Sequence, residues 1–188
     1  LLEWYQSHTT KVRPPIYLSV DLRDSGYKIA PVDTNLYPAG FNNLCVEDLR
    51  TAPSVMRTEL ESRFPGVHKI ALLPEAHTLN RYYWENVSRL LQLLGEAGFE
   101  VKLSWPSEVG GTESRPDVTV ETQSGKLLSA TPYTIAPSGQ FEVGEFVPDL
   151  ILLNNDFSSG YPKPLDSVTQ PIVPSHKLGW NSKKKSTH

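Results

Sequence analysis

The sequence predicts an α/β fold: an open, mainly parallel sheet flanked by helices, with a β-hairpin excursion at its periphery. Three observations point there. "HKIALLPEAHTLNRYYWENVSRLLQLLGEAGFEVKLSW", His68 to Trp105, reads as strand, helix, strand, the unit that sets two parallel strands in one sheet. "PDLILLNND", Pro148 to Asp156, holds the unbroken apolar run Leu150 to Leu153, which suits a strand covered on both faces. Residues 106–146 between them are rich in Gly, Ser, Thr and Pro and contain the hairpin-like "VTVETQSGKLLSA", bounded by turn residues.

Taken in order, Ile16, Leu18, Val20 and Leu22 alternate with Tyr17, Ser19, Asp21 and Arg23, the period of a half-buried strand. "DSG" at 24–26 turns the chain, and "YKIAPVD" returns. In regular register Asp21, Arg23 and Asp33 then share a face, and Pro31 confines the return strand to an edge or a short run. Residues 46–64, "VEDLRTAPSVMRTELESRF", read as a broken helical region, with Pro53 at a first helical turn and Pro65-Gly66 ending it. A strand over 69–73, a helix over 80–97 and a strand over 99–104 follow. Tyr83, Val87, Leu90, Leu91 and Leu94 form the core face of that helix, and Gly98 fits the position just past its end. A last sheet strand is expected at 149–153. The expected organisation is an N-terminal extension over 1–15, an α/β domain over 16–180 and a basic linker over 181–188.

A chain of 188 residues with 38% apolar and 21% charged content suits one globular domain, or one and the start of another. It contains no apolar run of about 18 residues, and "LLEWYQSHTT" lacks the order of a signal peptide, so a cytoplasmic setting is expected. The single cysteine, Cys45, rules out an internal disulfide and agrees with a reducing compartment. The sequon Asn86-Val-Ser88 is read as incidental. A formal net charge of −3 argues against a general nucleic-acid surface, "KKK" at 183–185 being a local basic patch. The chain opens on Leu1 rather than Met, and "GWNSKKKSTH" ends it without a strand or helix, so a piece of something longer is expected.

Polar residues collect where ligands bind in open α/β sheets, beyond the carboxyl ends of the strands. Glu75, His77, Thr78 and Asn80 precede a helix N-terminus, whose free N–H groups favour an anion. Asn154, Asn155 and Asp156 follow the buried strand, and His176, Lys177 and Trp180 lie in a third loop. Each has a plainer reading as well. Thr78 or Asn80 suits an N-cap, the Asn154–Asp156 group suits a turn, and a lone His77 is more often structural. No second His or Cys sits at metal-ligand spacing. Glycine-rich phosphate loops are absent, and Gly110-Gly111 follows no strand, so no nucleotide site is expected within these residues.

"SVDLRDSGYKIAPVDTNLYPAGFNNL", "LLPEAHTLNRYYWENV", "LILLNNDFSSG" and "GWNSKKKSTH", in this order, resemble the N-terminal part of the proteobacterial glutamate-cysteine ligase family related to ATP-grasp enzymes. The resemblance implies a Rossmann-like, pre-ATP-grasp domain in a longer protein. It also implies a reaction: ATP phosphorylates the γ-carboxylate of glutamate, and cysteine's amine displaces phosphate to give γ-glutamylcysteine. ATP and magnesium would bind mainly on an ATP-grasp domain beyond His188, so this chain alone would be inactive. Substrate-binding residues are then expected among Arg23, Asp33, Asn35, Asn42, Asn43, Glu75, His77, Thr78, Asn80, Asn154, Asn155 and Asp156, their side chains converging on one cleft. Asp33 and Asn155 are expected to be exposed there. Two other readings stay open: a non-catalytic α/β small-ligand binding module, and a sugar- or nucleotide-modifying enzyme with His77 as base and Asp156 as a metal ligand.

Overall fold

The structure is a computed structural model that describes residues 3, 4, 7, 15–75, 78, 80–105, 116–158 and 160–178. His77, Trp180, the 181–188 linker, Gly110-Gly111 and most of the 1–15 extension lie outside the described residues. The strands are β1 Ser19–Asp24, β2 Ile29–Asn35, β3 Lys69–Pro74, β4 Glu100–Trp105, β5 Val118–Glu121, β6 Leu127–Ile135, β7 Phe141–Val143, β8 Leu150–Asn154 and β9 Ile172–Val173. The helices are α1 Val46–Arg63 and α2 Arg81–Glu96. Seven strands make one sheet in the order β5-β6-β4-β3-β8-β9, with β7 also paired to β6. The pairs β6–β4, β4–β3, β3–β8 and β8–β9 are parallel.

The strand-helix-strand unit forms as its periodicity predicts. Asn80 caps α2, its side chain accepting the Tyr82 N–H at 3.0 Å. At the other end Phe99 N–H reaches Leu94 C=O at 3.1 Å and Gly98 N–H reaches Gly95 C=O at 2.9 Å, a Schellman closure that requires the left-handed φ of +92° at Gly98. Tyr83, Val87, Leu90 and Leu94 are buried as expected. Trp84 and Leu93 join them, and Leu91 is only partly covered. Ile70, Leu72, Leu150 and Leu152 pack toward the helices, while Ala71, Leu73, Ile151 and Leu153 face Tyr133, Phe141 and Leu165 on the other side. Burial on both faces explains why β8 is apolar at every position but its last. The 118–130 hairpin forms and occupies a sheet edge, β6 continuing past it to pair with β4 at Thr131 and Pro132.

Two expectations change. Residues 16–22 are not a half-buried strand: β1 pairs only with β2, in a separate two-stranded antiparallel ribbon that is exposed along almost its whole length. Alternation divides the strand into unlike faces, but it does not say whether anything covers the apolar one. The register does put Asp21, Arg23 and Asp33 on a common face, Asp21 standing opposite Asp33. A bulge beside Pro31 leaves Val32 as the extra residue, a place where a strand tolerates proline. The second change is in α1, which is continuous, with Pro53 inside it rather than at its first turn. Pro53 has no N–H to offer the Leu49 carbonyl. The turns beyond it are held by contacts of Met56, Leu60 and Phe64 with the core.

Candidate functional site

The carboxyl ends of β3 and β8 are joined by side chains. The Tyr83 hydroxyl donates to the Asn154 carbonyl and accepts the Glu75 N–H, each at 2.8 Å. Asn155 Nδ2 donates to the Pro74 carbonyl at 3.1 Å, and its Oδ1 accepts the Phe157 N–H at 2.8 Å. That second bond closes a turn in which Phe157 adopts a left-handed φ of 49°, uncommon for a bulky residue.

Asn154 ties this edge to the first segment of the chain. Its Nδ2 donates to the Pro38 carbonyl at 2.9 Å, and its Oδ1 accepts Asn86 Nδ2 at 3.2 Å. Asn86 in turn accepts the Phe41 N–H at 2.9 Å. Both amides are almost fully buried, and these bonds use both polar ends of each, as burial demands. The Tyr17 hydroxyl donates to the Leu153 carbonyl, and its ring meets Phe41 edge-on.

Beside this network a cleft of about 200 Å³ is lined by Asp33, Thr34, Asn35, Leu36, Tyr37, Asp156 and Leu178. Asn35 Oδ1 accepts the Tyr37 N–H at 2.8 Å, which turns the chain off the ribbon and aims Tyr37 inward. The Tyr37 hydroxyl donates to the Ser175 carbonyl at 3.0 Å. Burial, and then the Asp156 carboxylate, push the Tyr37 phenol up to about 12. Burial also raises Tyr83 well above its ordinary value; the Glu75 N–H opposes this, and the charges of Glu75 and Asp156 add to it. Tyr17 is raised mainly by burial. These phenols are therefore neutral hydrogen-bonding groups near neutral pH, not bases. Among the described lining residues are two carboxylates and no Lys or Arg. Such a site attracts a small cationic group and repels phosphate.

The far wall of the cleft is anchored from below. Asp166 accepts His176 Nε2 at 3.1 Å and Lys177 Nζ at 2.9 Å, and the Tyr161 hydroxyl donates to it at 3.2 Å. Lys177 and then His176 hold the Asp166 carboxyl down at about 2. This fixes the turn His176–Leu178, whose last residue enters the cleft.

Of the twelve residues expected to bind substrate, the cleft gathers Asp33, Asn35 and Asp156 from segments far apart in sequence. Glu75 lies within electrostatic reach of the same Tyr83 hydroxyl as Asp156. Asn155 is a correction to an exposed placement: it is buried, as is Asn154, and the amides of both hold backbone together. Asn80 caps α2, and Thr78 Oγ1 accepts the Asn80 N–H at 3.1 Å. Asn42 donates to Asn43 at 3.3 Å, and its Oδ1 is buried with no hydrogen-bond partner among the described residues. Arg23 is exposed on the ribbon and does not line the cleft. Tyr17, Tyr37 and Asn86 were not singled out as site residues from the sequence. Asn86 had one local signal, a polar side chain on the apolar stripe of α2. The two tyrosines had none. Among the described residues no three His, Cys, Asp or Glu side chains form a metal-holding group, and no helix is long and apolar enough to cross a membrane.

The glutamate-cysteine ligase (GshA) family profile matches residues 1–188. A crystal structure of a protein from Methylobacillus flagellatus KT, assigned as gamma-glutamylcysteine synthetase, superposes with a TM-score of 0.84 at 35% sequence identity. The match covers 100% of this chain and 43% of that one, so the chain spans less than half of its solved relative. No curated protein matches. On a full-length family match, supported by a solved relative of the same fold, this chain belongs to the glutamate-cysteine ligase family.

Proposed function

We propose that these residues are the N-terminal, substrate-binding part of a glutamate-cysteine ligase, which forms γ-glutamylcysteine from glutamate and cysteine with ATP in glutathione biosynthesis in the cytoplasm. The observation that carries this reading is the cleft joining Asp33 and Asn35 of the ribbon to Asp156 beyond β8. Turn-forming residues have no reason to converge across that sequence distance. An amino-acid substrate brings an ammonium group, and Asp33 and Asp156 supply charge-assisted acceptors for it. The neutral Tyr37 phenol and the Asn35 amide fix the shape of the wall.

The same residues do not fit a nucleotide. Two carboxylates with no cation among the described lining residues oppose a triphosphate, and no glycine-rich loop follows β3 or β8. In this reading ATP and magnesium bind mainly outside this chain, and no nucleotide step is assigned to its residues.

The test uses an active protein that contains these 188 residues within the length of the solved relative. Losing a charge-assisted hydrogen bond costs about 1.5–3 kcal/mol. Asp33→Asn and Asp156→Asn are therefore expected to raise KM for one of the two amino acids by roughly 10- to 100-fold. Unchanged KM for both amino acids in both variants would remove the cleft from the substrate site. The 188-residue chain by itself, given glutamate, cysteine and ATP, is expected to make no γ-glutamylcysteine; ATP-dependent product detected by mass spectrometry would overturn the division of labour.

A further inference from the structure

We infer that the apolar face of the β1–β2 ribbon is a docking surface for the additional polypeptide that a full-length member of this family carries in the same chain. The inference rests on the reading of these residues as one part of a longer ligase. Cross-strand pairing puts Val20, Leu22, Pro31 and Ile29 on one face, with Val32 bulging beside them. Leu22 is 62% exposed, Ile29 64% and Val32 54%, and Tyr27 at the tip is 91% exposed. A two-stranded hairpin alone in water is marginally stable at best, and this one pairs with no strand of the main sheet. The same face ends in Asp24 opposite Ile29 and in Thr34 opposite Val20, and an exposed apolar patch with polar ends has the character of an interaction surface.

Size selects the occupant. Six residues on each of two strands present a face of roughly 200 Å², far below the ~800 Å² per partner of a stable separate complex. A patch that small suffices when the partner is covalently linked, because linkage gives it an effective concentration in the millimolar range. The solved relative has the length to provide such a partner, since this chain accounts for only 43% of it. The ribbon's opposite, polar face bears Asp33 and Asn35, which line the cleft. A segment seated on the apolar face would therefore back the ribbon from the side away from Asp33 and Asn35 and steady the strand that carries them.

Hydrogen–deuterium exchange on both the 188-residue chain and the longer natural protein tests this without any substitution. Amides of β1 and β2 are expected to exchange at least ~10-fold more slowly in the longer protein, a difference of about 1.4 kcal/mol in opening. Leu22→Glu and Ile29→Glu should abolish that difference and lower the melting temperature of the longer protein, with no effect on that of the shorter chain. Equal exchange in the two proteins would overturn the inference. So would slow exchange in the shorter chain accompanied by a dimer in light scattering, which would make a second copy the occupant. Ligase activity is read separately: an active longer protein with an unprotected ribbon sinks the docking surface and keeps the ligase, and an inactive one with a protected ribbon does the reverse.

Discussion

Asn155 and Asp33 show how one residue type signal divides into two physical roles. The Asn155 amide is buried, and it holds Pro74 on one side and Phe157 on the other. Asn155→Ala would leave a buried carbonyl and a buried N–H without partners and release the left-handed turn at Phe157, so it is expected to cost about 2–4 kcal/mol of stability, seen as a lower urea midpoint. Asp33 is exposed, and among the described residues its Oδ1 accepts just the neighbouring Thr34 N–H, at 2.9 Å. Asp33→Asn should move the same midpoint by less than about 0.5 kcal/mol. Composition alone marks both residues as polar groups at a strand end or turn. Burial separates them, and burial of Asn155 depends on Pro74, which is 81 residues away in sequence. The Asn86–Asn154 pair was hidden for the same reason.

At the scale of elements, local chemistry was legible wherever an element's own period and caps decide it. β3, α2, β4 and β8 follow their sequence signals closely because the apolar period, the Asn80 cap and the Gly98 stop all agree. Gly98→Ala is expected to destabilise the protein by more than about 1 kcal/mol, since a Cβ there would sit at positive φ and 2.8 Å from Arg57 Nη1. α1 was misread because proline is a local signal and the anchors that override it are tertiary. Pro53→Ala restores a missing helical hydrogen bond and should raise stability by about 1–3 kcal/mol; a lower thermal midpoint would show that Pro53 packs usefully where it is. The ribbon was legible in pairing and register, which turn chemistry and alternation set. Its isolation from the main sheet was not legible, because that depends on what lies beside it.

For the whole molecule, charge sets the acid edge of stability and phenol burial the alkaline one. Asp166 is held at about 2 by Lys177 and His176, below its ordinary 3.8, so in that interval the folded state binds fewer protons than the unfolded one. Its contribution is present above pH ~4 and fades as pH falls toward 2. Asp166→Asn should flatten urea midpoints measured across that range. Tyr37 and Tyr133 are raised to about 12, so their contribution is intact below pH ~10 and lost as pH climbs through 12. The Asn154–Pro38 bond has a further consequence, for the order of synthesis. It spans 116 residues, and ribosomes add roughly 5–20 residues per second. The loop over 36–41 thus waits on the order of ten seconds for its clamp, and the cleft it borders is among the last features to be completed on the nascent chain. Until Asn154 leaves the exit tunnel, the Pro38 carbonyl lacks its side-chain clamp and the loop is held only by the Phe41 N–H to Asn86, so a stall before that codon is expected to give a nascent chain that proteases cut first at this loop.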